Sequence, residues 1–365
     1  MELTGWGTHD KIGRPTSFPA GLAERMLREI GRQPIADEVA GRQTARELLA
    51  FRDVLIAAAD WNARAGLTLM REEAWDLFFL GFGNLHRCGH KIWNHRGTAG
   101  SATERERRDL DDAMRQVAIA TDGAVGQLMA EAGAATRVVV FSLHGMSENY
   151  SVHPLHARIL DRILKGERRD DPETPQRSAA IRLREAIPLG LRSKVKDALP
   201  YRAQDLMTLF WRTARSDWSR TKAFMLAADL EGLIQVNLKG RERDGIVEPG
   251  AEYDALLDEI TAGFQTFHDI DTGDPLVLDV HRGRDIWPEA IQRRAMPDLV
   301  IRNPRRSAFG IRGFHSERYG TVRNYDAGGY VDGRSGHHVG EGWFVAGGGD
   351  LPLSLIHISE PTRRS

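Results

Sequence analysis

Cysteine is nearly absent from this 365-residue sequence: Cys88 is the only one, so no internal disulfide can form and cysteine usage gives no argument for an oxidising compartment. An excess of either charge is also missing. The 50 Lys and Arg against 51 Asp and Glu leave a net charge of −1, which argues against a nucleic-acid scaffold and against an acidic tail. Any anionic substrate must then be drawn by a local field. No apolar run approaches the roughly 20 residues of a membrane span, and the N-terminus has no basic-then-apolar secretory pattern, which weakly favours a cytoplasmic setting. What is present, 41% hydrophobic and 28% charged residues, suffices for one large α/β domain or two ordinary ones.

The tail "LSLIHISEPTR", Leu353 to Arg363, resembles the translated read-through of a sequencing adapter, so residues 353–365 are set apart from fold reasoning. Upstream, Arg42 to Met70 carries apolar residues at helical spacing, among them Leu48, Leu55 and Trp61, and predicts an amphipathic helix. It leads into "WDLFFLGFGN", Trp75 to Asn84, a nearly continuous apolar run closed by glycines that reads as a strand buried on both faces. A second long helix is expected from Thr103 to Gly133, with Ser101 or Thr103 as N-cap, followed by a strand at "RVVVF", Arg137 to Phe141. Strand, helix, strand is the order of a parallel crossover unit, in which ligands bind beyond the carboxyl ends of the strands. Residues 154–222 turn helical and charged and read as an insertion. Strands are expected again at Gly232–Leu238, Pro275–Val280, Asp298–Arg302 and Gly342–Gly348, with a helix over Ala251–Phe267.

Histidine concentrates at the predicted strand ends. His86 and His90 lie four apart in "NLHRCGHKIWNH", His144 follows the "RVVVF" strand, and His337 and His338 sit in "RSGHHVGEG" before the last strand. Neutral imidazole is a common ligand of zinc and similar cations, and glycine beside each group lets backbone approach closely. Three separate strand ends presenting histidine point to a shared metal centre. The simpler reading, histidines satisfied by backbone carbonyls or stacked on Trp93, competes with it. Cys88 reads as a buried thiol rather than a ligand, and "KGRERDG", Lys239 to Gly245, as either a substrate-anion contact or a solvated hairpin turn.

The stretches "HRCGHKIWN", "VVVFSLHGM", "LIQVNLKGRERDGIVEPGAEYDALLDEI", "MPDLVIR" and "SGHHVGEGWFVAGGG" resemble the alkaline-phosphatase-like superfamily, specifically its type I phosphodiesterase/nucleotide pyrophosphatase branch, from about Gly5 to Leu351. The resemblance implies an α/β fold with a mostly parallel central sheet flanked by helices on both faces, spanning residues 1–352 and incomplete at the N-terminus. It implies a metal-dependent phosphoric-ester hydrolase that uses a covalent phospho-Thr or phospho-Ser intermediate, one or two divalent ions, zinc foremost, and a small phosphate ester or diester as substrate. One ion is implied at His86, His90 and His338, and the other at the pair matching Leu143 and His144.

Two positions depart from the pattern. His86 replaces a carboxylate but keeps a donor atom, whereas Leu143 cannot coordinate, which leaves Glu148 or Asn149 as substitutes. The nucleophile and an early metal-binding Asp are expected upstream of Met1, since Thr8, Thr16 and Ser17 are poor candidates, so the chain is expected to be a fragment with little or no turnover. A sulfatase or phosphomutase on the same scaffold, and a non-catalytic binding protein that has lost ligands, are the alternatives. A third, an unrelated protein with core histidines, requires His90, His144 and His338 to lie apart.

Overall fold

Two threonines start the long helices. Thr44 Oγ1 accepts the Glu47 N–H while the Glu47 carboxylate accepts the Thr44 N–H, and Thr103 with Glu106 repeats the arrangement, so each helix satisfies two of its orphan donors reciprocally. The structure is a computed structural model describing residues 1–6, 15–32, 34, 42–174, 217–226, 231–288, 296–326 and 328–349, with the backbone alone of 351–358. Most of the expected insertion over 154–222, together with Thr8, lies outside the described residues.

Along the chain come β1 (Glu2–Thr4), β2 (Thr16–Phe18), α1 (Leu22–Glu29), α2 (Ala45–Glu72), α3 (Asn84–Ile92), α4 (Glu104–Ala132), β3 (Val138–Ser142), β4 (Gly145–Glu148) and α5 (His153–Lys165). Then follow β5 (Ala223–Met225), β6 (Gly232–Val236), α6 (Ala251–Gln265), β7 (His268–Asp269), β8 (Asp279–Arg282), α7 (Gly283–Ile286) and β9 (Leu299–Arg302). The last strands are β10 (Gly313–Ser316), β11 (Gly320–Arg323), β12 (Gly336–Val339), β13 (Gly342–Gly348) and β14 (Leu351–Ile358). The chain divides into two compact units, Met1–Glu148 with Arg334–Ser365, and Asn149–Gly333.

In the first unit α2 and α4 pack along each other, burying Leu48, Phe51 and Leu55 of one and Leu110, Ala113 and Val117 of the other, with Cys88 and Ile92 of α3 in the same core. Gly66 makes close approach possible, since a Cβ there would stand 2.8 Å from Leu128 and 2.9 Å from Leu80. Strands pair as β1–β2, β4–β12 and β3–β13–β14. In the second unit α5 and α6 cover the sheet β5–β6–β9–β8. Ile159, Ile163, Leu257, Ile260 and Phe264 of the helices meet Ile234, Val236, Leu299 and Ile301 of the strands. A three-stranded sheet β11–β10–β7 completes it.

Helices and strands are mixed, consistent with an α/β fold, but the mostly parallel central sheet is not what the described strands form: the sheets are small and every named strand pair is antiparallel. The expected crossover fails at its first member. The run Trp75–Asn84 has no regular secondary structure before Asn84 and pairs with no strand among the described residues, and α3 begins at its end. Its alternate side chains serve the helices instead: Phe82 packs on Ala59, Ala63 and Ala124, while Leu77 and Phe79 are exposed. β3 therefore takes a distant antiparallel neighbour, β13, with Phe141 opposite Phe344. The strand expected over Pro275–Val280 begins later, at Asp279. β14, drawn from the adapter-like tail, lies along the other edge of β13.

Candidate metal centre

The site belongs to the first unit and is assembled from three elements. α3 opens where buried Asn84 turns its side-chain amide to the Leu55 carbonyl. Four-residue spacing then places His86 and His90 on one side of the helix, with ring centroids 4.7 Å apart. Cys88 falls on the opposite side, in the core, where burial pushes its thiol up to about 12 and keeps it protonated. At the end of β3 the Ser142 hydroxyl donates to the His144 carbonyl at 2.7 Å, closing the turn into β4. Leu143 is 80% exposed. β12 pairs antiparallel with β4, setting His338 opposite Met146, next to the start of the strand that follows His144.

These elements bring the rings together. His144 and His338 are 4.2 Å apart between centroids, His86 and His338 4.8 Å, His90 and His338 4.7 Å, and His86 and His144 5.5 Å. The reading as scattered core histidines is thereby set aside. His86, His144 and His338 each offer a ligand atom within 4.8 Å of the others'. His90 stands outside that trio, 3% exposed, with Nδ1 3.0 Å from the Gly336 carbonyl. A carbonyl can only accept, so Nδ1 carries the proton and Nε2 the lone pair. The expected division, with His86, His90 and His338 on one ion and His144 on another, thus differs from the grouping found, in which His144 joins His86 and His338.

The donor set fits a metal on two further counts. Burial, then the neighbouring imidazoles, hold His338 down to about 3, so its ring is uncharged at neutral pH, and its Nε2 is buried without a hydrogen-bond partner. Burial likewise lowers His90 to about 4 against the raising effect of Gly336. Neither proposed substitute is turned to this purpose: the Glu148 carboxylate pairs with Arg96, and buried Asn149 donates to Asp332 and accepts the Ser151 N–H.

The "KGRERDG" stretch proves to be structural at its centre, in the second unit. Arg241, 9% exposed, donates to both oxygens of fully buried Asp298 at 2.8 and 2.6 Å, and Asp298 also accepts from Tyr253 and the Val236 N–H. A guanidinium so engaged is a strut, not an anion receptor. Sequence reasoning did not assign Asp298, because a lone Asp before a strand carries no signal of its partner 57 residues away. His337, singled out in the sequence beside His338 but given no ligand role, proves fully buried with its ring 5.6 Å from His90.

Residues 14–326 match the family model for type I phosphodiesterase / nucleotide pyrophosphatase. The chain belongs to this family. No curated protein and no solved structure matches it. Membership indicates a phosphodiesterase- or pyrophosphatase-type hydrolase, in a family that acts on small phosphate esters or diesters. The match includes His86, His90 and His144 but ends before His338, which the β4–β12 pairing carries into the cluster. No helix among the described residues is long and apolar enough to cross a membrane.

Proposed function

We propose that this phosphodiesterase-family chain is a metal-dependent hydrolase of small phosphodiesters or pyrophosphates, with one zinc-type cation held by His86, His144 and His338. The observation that carries the reading is the convergence of three imidazoles from α3, the β3–β4 turn and β12, with ligand atoms within 4.8 Å. A tetrahedral ion holding nitrogens at about 2.0–2.1 Å spaces them roughly 3.4 Å apart, so small torsional changes close the difference. Neutral nitrogen donors without a carboxylate suit zinc, copper or nickel and disfavour magnesium and calcium.

When bound, the cation would act as a Lewis acid that stabilises charge on non-bridging phosphoryl oxygens. The chain's own contribution is to hold three imidazoles from three separate elements with their ligand atoms within 4.8 Å of one another. His90, with Nδ1–H on Gly336, has the tautomer and anchoring that metal-bound imidazoles show, which leaves the lone pair on Nε2. A covalent phospho-Thr or phospho-Ser route belongs to the same reading. Ser17 suits that role poorly, since its hydroxyl is engaged in accepting the Ala23 N–H at 2.9 Å and donating to the Pro19 carbonyl at 3.0 Å. A non-catalytic binding protein is the second reading, favoured by the exposed Leu143 where the family pattern has a ligand.

Equilibrium dialysis against zinc tests the proposal. About one equivalent per chain is expected, weakened more than about tenfold by His86→Ala, His144→Ala or His338→Ala. Binding of bis(nitrophenyl) phosphate should depend on zinc and vanish with a chelator. A chain that takes up no zinc would sink the reading.

A further inference from the structure

β12 has one strand partner, β4, among the described residues, and an edge strand leaves N–H and C=O groups that must be satisfied in some other way. Imidazoles take that role here. The Gly336 carbonyl accepts from His90 Nδ1 at 3.0 Å, and the His338 N–H donates to His337 Nδ1 at 2.8 Å. These two backbone groups are two residues apart and so lie on the same side of the strand. His337 is itself fully buried, with its ring 5.5 Å from that of His338. Because its Nδ1 accepts, the neutral ring carries its proton on Nε2.

We propose that His337 is a positioning residue of the metal cradle: by accepting the His338 N–H it fixes the peptide from which the His338 imidazole reaches His86 and His144. The inference rests on the metal reading above. His338 stands on an edge strand, and its amide, on the same side of the strand as the Gly336 carbonyl, is met by His337 Nδ1. A ring that filled the same space without an acceptor would free that amide to turn, and the ligand nitrogen would swing with it. Space-filling and hydrogen-bond acceptance are therefore separable at this position. Asparagine places Oδ1 close to where Nδ1 stands, whereas phenylalanine fills the volume and accepts nothing.

The experiment compares the full chain with His337→Asn, His337→Phe and His337→Leu by chelator competition for zinc and by the visible spectrum of the cobalt-substituted chain, with thermal unfolding as the control for folding. His337→Asn should stay within about threefold of the parent and keep the parent cobalt spectrum. The two apolar variants should bind about 10–100-fold more weakly, the range seen when a ligand's supporting partner is lost, with an altered spectrum. Nitrogen-15 NMR of the metal-free parent supplies a readout that needs no variant: His337 Nδ1 should be the unprotonated nitrogen and the His338 amide should exchange slowly. A folded apolar variant that binds zinc as the parent does, or a protonated Nδ1 on His337, would overturn the inference while leaving the metal reading standing. A parent chain that takes up no zinc overturns the metal reading, and the positioning role with it.

Discussion

His156 is a buried imidazole that should make the second unit sensitive to mild acid. The ring is fully buried, 5.7 Å from Phe264 in an edge contact, and a Cβ built on Gly232 would stand 2.7 Å from its Nδ1, so there is no room for a hydration shell. Burial, then the nearby His153, lowers its pKa to about 3. A histidine in the unfolded chain titrates near 6.5, so between these values the unfolded state binds a proton that the folded state refuses. The stability contribution of the neutral ring is thus complete above pH 6.5 and falls by about 1.4 kcal/mol per pH unit below it. His156→Leu should therefore lose about 2 kcal/mol less than the parent between pH 7 and pH 5. Urea unfolding at the two pH values measures this, and an unchanged acid loss in the variant would show that another group is responsible. The contrast with Cys88 is instructive: both side chains are buried, but the thiol is driven toward its neutral form from the other direction and has no part in acid sensitivity.

Between elements, the decisive contact is that of α3 with β12. A methyl on Gly336 would lie 2.1 Å from the Gly89 carbonyl and 2.7 Å from Trp93 Cβ, so it cannot be absorbed by a rotating side chain. Gly336→Ala should cost about 1–3 kcal/mol and, by pushing α3 away from β12, weaken zinc binding at least about tenfold. Gly123→Ala, in α4 with open space around it, is the control and should be neutral or stabilising by up to about 1 kcal/mol. Equal zinc affinity in the Gly336 variant would mean that the cluster does not depend on this approach. The same elements mark what could be read in the sequence. The apolar spacing from Arg42 and the cap candidate Thr103 are local signals and placed α2 and α4 to within a few residues, while the capping box at Thr44 emerges only in the structure. The apolar run before α3 was misread as a strand because continuous apolarity records burial, not hydrogen bonding, and its inward side chains are spent on α2 and α4. The convergence of histidines could be anticipated because glycine accompanied each group. Their partition could not, since it depends on the antiparallel register of β4 with β12.

Across the whole molecule, the two units have separate cores: the clusters of the first draw on residues up to Ala124, and the large cluster of the second on residues from Val152 to Val331. All three imidazoles of the proposed cradle belong to the first unit. A ligand stabilises only the body whose unfolding destroys its site, by about 2.7 kcal/mol at a hundred times its Kd. Zinc should therefore slow amide hydrogen exchange in peptides covering α3, β4 and β12 and leave those covering β6, α6 and β9 unchanged. The outcome separates two pictures of the chain. Slowing confined to the first unit means that its core opens independently and that the metal is bound where the histidines meet. Uniform slowing would mean that the chain opens as one cooperative body, and slowing confined to the second unit would place the zinc elsewhere and remove the basis for the proposed site.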